Sequence, residues 1–229
     1  MENYKVILAS KSIGRLKTLK SAGITPYILS PELDESSIIK KYAPNKKLNA
    51  KKTVLFLAKA KGEKAVKILN EELANNKIDK MQINNKISNA RILLAGDSVF
   101  EFRHKVFGKP ENYETAKKHL KSISGQTGKL YSAIYIYDLK SKNWRLVANY
   151  AKVTMHTLSN KDIENYLSTN EPYLVAGGFT IDGLGGAFVE KINGDPHTVV
   201  GMPLAILRLE LEKMNIEWFK ILDNNFIKK

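Results

Sequence analysis

The chain contains no cysteine in 229 residues. That excludes disulfides, thiolate metal sites and a cysteine nucleophile, and it fits a reducing compartment, here expected to be the cytoplasm. No uninterrupted apolar stretch approaches the roughly 18–20 residues that span a bilayer, so no membrane partner is expected. Met1 to Ser10 has no basic region followed by a long apolar core, and so does not read as a signal peptide. Neither GxxxxGK[ST] nor GxGxxG is present. The histidines (His104, His119, His156, His197) share no metal-ligand spacing, and no Ser-His-Asp set follows from residue order alone. There is no internal repeat and no clear linker.

Acidic residues are outnumbered. Lys+Arg 37 against Asp+Glu 23 gives a net charge of +14. Within residues 40–91, fourteen basic residues face four acidic ones. Such a segment fits a solvated face, a small-polyanion site or a nucleic-acid surface. Tyr42 and Phe56 are its only aromatics, and without an interleaved stacking platform it argues against a nucleic-acid partner. The overall composition, 43% hydrophobic and 26% charged, is that of an ordinary globular chain.

The apolar run Val6-Ile7-Leu8-Ala9 reads as a buried strand. A helix follows with Ile13, Leu16 and Leu19 on one face, stopping near Gly23. From Lys46 to Leu73, the residues Leu55, Ala58, Gly62, Ala65 and Leu69 recur at helical spacing. Ala74 to Ala90 is polar and Lys/Asn-rich, and reads as a surface loop or an insertion. Arg91 to Ala95 is a second apolar strand, ending at Gly96-Asp97-Ser98. Asn112 caps a helix with Ala116, Leu120 and Ile123 inward, and Ser124-Gly125 ends it. Lys129–Tyr137 and Leu146–Met155 alternate as the arms of a hairpin joined through residues 140–143. Ser159 and Asp162 form a capping box before a helix carrying Ile163, Tyr166 and Leu167. A last helix covers Leu204 to Lys213. Strands that alternate with helices and later pair as a hairpin predict an α/β fold with a mixed sheet, in a single domain over residues 1–229.

Five places hold candidate chemistry. Ser10-Lys11-Ser12-Ile13-Gly14-Arg15 brings hydroxyls, cations and orphan N–H groups to a helix start, which is either an anion site or simply a capped helix. Arg15 has the fork geometry for phosphate. Asp97, at a strand end, either holds a metal or a water, or caps a turn. Gly108-Lys109-Pro110 is a rigid turn that projects one lysine, as a phosphate clamp or as plain exposed surface. Ala176 to Gly186 is too rich in glycine for a regular helix, and Asp182 stands alone in it as a candidate ligand. Gly194-Asp195-Pro196-His197 reads as a turn, with His197 solvated.

Taken in order from Ile7 to Leu204, these pieces resemble the Maf family, also described as septum-formation-inhibitor-like nucleotide pyrophosphatases. Ile7 to Arg15 resembles the opening LASxSPRR. Asp34-Glu35 resembles VDE, and Leu57-Ala58-Lys59-Ala60-Lys61 resembles LAxxK. Gly96-Asp97-Ser98-Val99 with Gly108-Lys109-Pro110 resembles ADTxV…GKP, and Ser124-Gly125 resembles the SG after the next helix. The glycine segment, Gly194-Asp195 and Val200-Gly201-Met202-Pro203-Leu204 resemble AGxxxIxG…GDxxNVVGLPL. The chain departs from the pattern at Gly14 (Arg in the family), at Ser98 (Thr), at Gln126 to Lys129 (where a histidine is often found), at Leu174-Val175 (often Asp-Lys), and at Asp182 (often Gln).

The resemblance implies a mixed, twisted sheet flanked by helices, with two lobes and a central cleft. It implies hydrolysis of a nucleoside triphosphate, standard or modified, to the monophosphate and pyrophosphate with Mg²⁺ or Mn²⁺. Carried over by position, Asp97 activates water, and Glu35 and Asp97 hold the metal. Ser10, Ser12, Arg15, Lys61 and Lys109 bind the triphosphate. Asp182 is a candidate for reading the base. Members are often homodimers. The alternatives are a catalytically weak nucleotide-binding regulator of cell division, against which the intact Asp97, Glu35 and Lys109 argue, and a basic nucleic-acid-binding protein.

Overall fold

A computed structural model describes residues 3–44, 48–74 and 90–226. The expected insertion at 74–90 falls outside the described residues except for its ends: Ala74 closes a helix and Ala90 opens a strand.

A seven-stranded mixed sheet organises the chain. Strands β1 (Lys5–Ala9), β2 (Tyr27–Ile28), β3 (Ala90–Phe102), β5 (Thr127–Asp138), β6 (Trp144–Met155) and β7 (Val189–Asn193) run in the order β2-β1-β3-β5-β6-β7, and β4 (Lys105–Phe107) pairs with β3 off that path. The first three are mutually parallel, while β3-β5, β5-β6 and β6-β7 are antiparallel. The mixed α/β expectation from the sequence is met.

Parallel strands are covered on both faces, so their apolar runs are continuous. Ile92 and Leu94 of β3 face one cluster, with Val6, Leu8, Leu19 of α1 (Ile13–Ser21) and Leu207 of α7 (Leu204–Glu212). Leu93 and Ala95 face the other, with Ile7, Ala9 and the buried stripe Ala58, Ala65 and Leu69 of α3 (Ala50–Ala74). A third cluster lies beyond, around Phe100, Phe179, α4 (Tyr113–Ile123) and α5 (Asn160–Leu167). Two lobes result, one around the parallel strands and one around the far end of the β3-β5-β6 ribbon.

Local chemistry sets the helix ends as expected. The Asn112 side chain accepts from Thr115 N, and Ser159 with Asp162 forms the full capping box. The hairpin turn is pinned by Asp138, whose carboxylate accepts from Lys140 N at 3.0 Å and Ser141 Oγ at 2.9 Å and meets Arg91 at 3.3 Å.

Three expectations need correction, and one helix is new. Asp97 does not follow a strand: β3 runs on to Phe102 because β5 pairs with it without a break from Ile92 to Glu101. Ile13 does not face inward but is 62% exposed, because the first turn of α1 lies past the end of β1. Asp195-Pro196 is not a plain turn but the cap and first residue of the short helix α6 (Pro196–Val200), which fits proline's liking for that position. An unexpected helix, α2 (Glu35–Tyr42), starts at the Asp34 cap. It is only eight residues long and none of its side chains is fully buried, Ile38 and Ile39 being half-buried.

Candidate active site

A cleft of about 750 Å³ opens between the lobes. Ser10, Ser12, Arg15, Glu35, Lys61, Asp97, Ser98 and Lys109 all line it, drawn from β1, α1, α2, α3, β3 and the turn after β4.

Asp97 lies on the stretch of β3 between two pairings on one edge. Partnering with β1 ends at Ala95, and partnering with β4 begins at Phe100. The Asp97 side chain is 9% exposed. Its Oδ1 accepts from Lys61 Nζ at 2.6 Å, and the same ammonium meets Glu35 Oε1 at 2.8 Å. Lys61 thus joins two carboxylates, one on β3 and one at the first turn of α2. Burial pushes the Asp97 carboxyl above the usual carboxylate range. Lys61 and Arg15 pull it back, and Glu35 pushes it further up. At this acid desolvation outweighs the cations.

Arg15 is buried, and its guanidinium is bonded on three sides. Nε donates to Gly201 O at 2.9 Å, Nη1 to Ser10 Oγ at 3.1 Å, and Nη2 to Ser98 Oγ at 2.9 Å. A guanidinium has five N–H donors, so two remain for a ligand. Burial opposes its charge, while Asp97 and Glu35 support it. Ser10 Oγ also accepts from Ser12 N at 3.1 Å, and Ser12 caps α1 by accepting from Arg15 N at 3.4 Å.

Lys109 projects from a turn that is docked on the glycine segment, where Gly177 N donates to Gly108 O at 2.9 Å. Its ammonium pKa is pushed down by burial first, then by Arg15 and Lys61. Gly177 and Gly178 adopt φ of 76° and 78°, so the segment does carry the unusual backbone its composition suggests. Leu174, Val175, Ala176, Phe179 and Thr180 give the cleft an apolar wall. Asp182 is not part of it. That residue is exposed, accepts a hydrogen bond from Thr180, and sits beside Gly14 of α1. His197 is half exposed and pairs with Asp195 at 3.2 Å.

The sequence reading missed Gly201 and Ser98 as holders of Arg15. It also missed Glu171, which accepts from Tyr166 Oη at 2.9 Å, Leu184 N at 2.9 Å and Gly185 N at 2.8 Å and so ties the glycine segment to α5. Glu171 precedes a proline in a turn and has no periodic signal to mark it. Gly201 stood in the resembling segment without an assigned role.

Among the described residues no group of three or more His, Cys, Asp or Glu converges as a metal site. What converges is two carboxylates and an ammonium, open to the cleft. This all-oxygen pair suits a hard cation that shares its coordination with substrate phosphates, and it does not suit an all-protein cage.

Fold and cleft together define an α/β protein with cations from several elements gathered around a carboxylate pair. The chain belongs to the Maf-like family, whose model matches residues 5–214. It is 33% identical over 217 residues to the nucleoside triphosphate pyrophosphatase of Cutibacterium acnes, covering 93% of this chain and 92% of that one. It is 34% identical to the protein of the same name from Trichodesmium erythraeum, covering 95% and 98%. The dTTP/UTP pyrophosphatase of Clostridium novyi is 35% identical over 202 residues, covering 87% and 92%. Among solved structures, the Ham1 protein of Staphylococcus aureus overlays with a TM-score of 0.43 at 12% identity, covering 92% of this chain and 99% of that one, a likeness too loose to bear on function.

Proposed function

We propose that this chain is a nucleoside triphosphate pyrophosphatase that cleaves the α–β anhydride. The observation that supports this most is the Lys61 ammonium held between Asp97 and Glu35 on the cleft floor, with Arg15 and Lys109 nearby. A triphosphate carries about four negative charges at neutral pH, and cations on several elements are what such a ligand requires.

In the reaction, a water oxygen bonds to the α-phosphorus as the bond to the α–β bridging oxygen breaks. Pyrophosphate leaves with that oxygen, and the water proton passes to Asp97, which must be ionised to take it. Lys61 orients the Asp97 carboxylate. Arg15 and Ser10 hold phosphate oxygens at the start of α1. Lys109 reaches in from the opposite lobe toward the departing charge, where fixed cations lower the barrier most. Glu35 and Asp97 would hold Mg²⁺ or Mn²⁺, whose contribution is to neutralise phosphate charge and stabilise the leaving pyrophosphate. The wall from Leu174 to Thr180 is where an apolar base face would lie. Among the described residues no helix is long and apolar enough to cross a membrane.

The test is to incubate the protein with dTTP, UTP and a panel of other triphosphates in ¹⁸O-water with Mg²⁺ or Mn²⁺. Monophosphate carrying the label, with unlabelled pyrophosphate, is expected. Label in pyrophosphate would place attack on the β-phosphorus, and diphosphate with phosphate would overturn the cleavage point.

A further inference from the structure

Beside Arg15, a chain of hydroxyls runs from the cleft lining across neighbouring strands into the core. Ser98 Oγ lies 2.8 Å from Ser132 Oγ, and Ser132 Oγ donates to Thr198 O at 2.7 Å. Ser132 lies in the middle of β5 and is 0% exposed. A hydroxyl is costly at such a position unless it is fully bonded.

The hydrogens can be assigned by counting. Each serine has one to give. Ser132 spends its hydrogen on the carbonyl of Thr198, which can only accept. Ser98 must therefore donate to Ser132. The Ser98 lone pairs then point back toward Arg15, whose Nη2 donates to them at 2.9 Å. The order is one-way, from guanidinium to Ser98 to Ser132 to the backbone of α6.

The chain also closes on itself. Thr198, where it ends, and Gly201, whose carbonyl holds Arg15 Nε, belong to α6 and its cap. Thr198 is itself tied down: its Oγ1 accepts from Asn149 Nδ2 at 3.0 Å and donates to Asp195 Oδ2 at 3.0 Å. The guanidinium is therefore held at two corners by one rigid element, directly at Nε and through two serines at Nη2. Space is tight here. A Cβ on Gly201 would come within 2.9 Å of Ser98 Oγ, and the residue's φ of 107° disfavours any side chain.

We propose that Ser132 is a positioning residue for the triphosphate. It fixes the donor direction of Ser98 and so sets the plane in which Arg15 presents its two free N–H groups to phosphate. This rests on the reading of Arg15 as a phosphate ligand given above. Bidentate recognition depends on the orientation of the guanidinium plane, so an arginine free to swing would bind less well even with its charge intact.

The test is a double-mutant cycle of Ser132→Ala and Arg15→Ala, read as the dissociation constant for inorganic tripolyphosphate in Mg²⁺, with circular dichroism melts on every variant. Tripolyphosphate leaves the base out of the question. Ser132→Ala is expected to weaken binding by roughly tenfold while staying folded, the order of one hydrogen bond, because Ser98 loses the acceptor that orients it toward Arg15. The double variant is expected to bind no more weakly than Arg15→Ala alone, because Ser132 acts only through the arginine. A purely structural role would lower the melting temperature and multiply with Arg15→Ala in the cycle. That result, or unchanged binding in Ser132→Ala, overturns the proposal. Unchanged binding in Arg15→Ala would instead overturn the role given to Arg15. Should Ser132→Ala fail to fold, Ser132→Cys fills the site with a weak donor, and the same non-additivity with Arg15→Ala is required of it.

Discussion

Asp97→Asn separates what this acid does for the reaction from what it does for the fold. Asp97 Oδ1 lies 2.6 Å from the Lys61 ammonium. At an effective dielectric constant of about 20, that pair attracts with about 6 kcal/mol. The opposing cost is the lost hydration of a carboxylate that is 9% exposed, several kcal/mol for an ion in such a place, with Glu35 adding repulsion. The balance is read from the direction of the Asp97 pKa, which is raised. The ionised acid is thus a net burden on the folded state. Asparagine keeps an oxygen for Lys61 and needs no ionic hydration, and Lys61 retains Glu35 as its partner. Thermal melts in chelator at pH 7 are expected to show Asp97→Asn no less stable than wild type, and more stable by up to about 5 °C, at the 2–4 °C per kcal/mol typical of this size.

The pH dependence of Asp97 carries a definite sign. A folded pKa above the unfolded one means that the folded state holds the proton longer as pH rises, so wild type loses stability between the two values. The advantage of the variant is full above the folded pKa and disappears below about pH 4, where the acid is protonated in both states. Turnover should fall about 10²–10⁴-fold, the usual contribution of a positioned base. A folded variant that melts more than about 5 °C below wild type would refute the energetic argument. One that turns over triphosphate at the normal rate would refute the catalytic one.

Two further outcomes are expected. Lys109→Ala, on the turn after β4 at the cleft, should leave the melting temperature within about 1 °C and raise KM for the triphosphate roughly tenfold, with the gap narrowing as salt is added, checked by steady-state kinetics at two ionic strengths. Asp138→Ala should cost about 2–4 kcal/mol in urea unfolding at pH 7, because Arg91, Ser141 Oγ and Lys140 N together lose a carboxylate acceptor that is 1% exposed. The folded pKa of Asp138 is depressed, so its stabilisation is present above the unfolded pKa near 4 and fades as pH falls through the folded value, the opposite sign to Asp97.

What could be read in advance was whatever depends on near neighbours in the chain. The caps at Asn112 and Ser159, the stripe of α3 and the β5-β6 arms follow from residues a few positions apart, and they stand as expected. Helix α2 was hidden because its eight residues carry only Ile38, Ile39 and Tyr42 as an apolar side, and α6 because Gly194 and Pro196 signal a turn as readily as a helix start. Asp97, Lys61 and Glu35 lie on three elements with no spacing to link them, so their meeting at one ammonium emerges only from the fold. The family pattern placed them in order but gave no distance. Asp182 illustrates the converse: a lone acid among glycines looks like a ligand in sequence, yet the chain turns it out of the cleft wall and puts Thr180 there instead.

The position of the site follows from an unequal pairing in the sheet. β1 stops at Ala9, in register with Ala95, while β3 continues, and its next partner on that edge, β4, is reached only at Phe100. Between those points β3 is held on one side by β5 and, among the described residues, has no strand on the other. Beside this stretch α1 places Arg15, which donates to the Ser98 side chain of β3 and to Ser10 and Gly201. Gly96 makes room for it, since a Cβ there would lie 3.1 Å from Arg15 Nε. The residues that follow, Asp97 and Ser98, face a buried cation and the cleft together. A strand that continued β1 along this edge would close the gap and leave no place for the guanidinium. The short first strand is therefore a condition for the site, and the apolar run that ends at Ala9 is its earliest sign in the sequence.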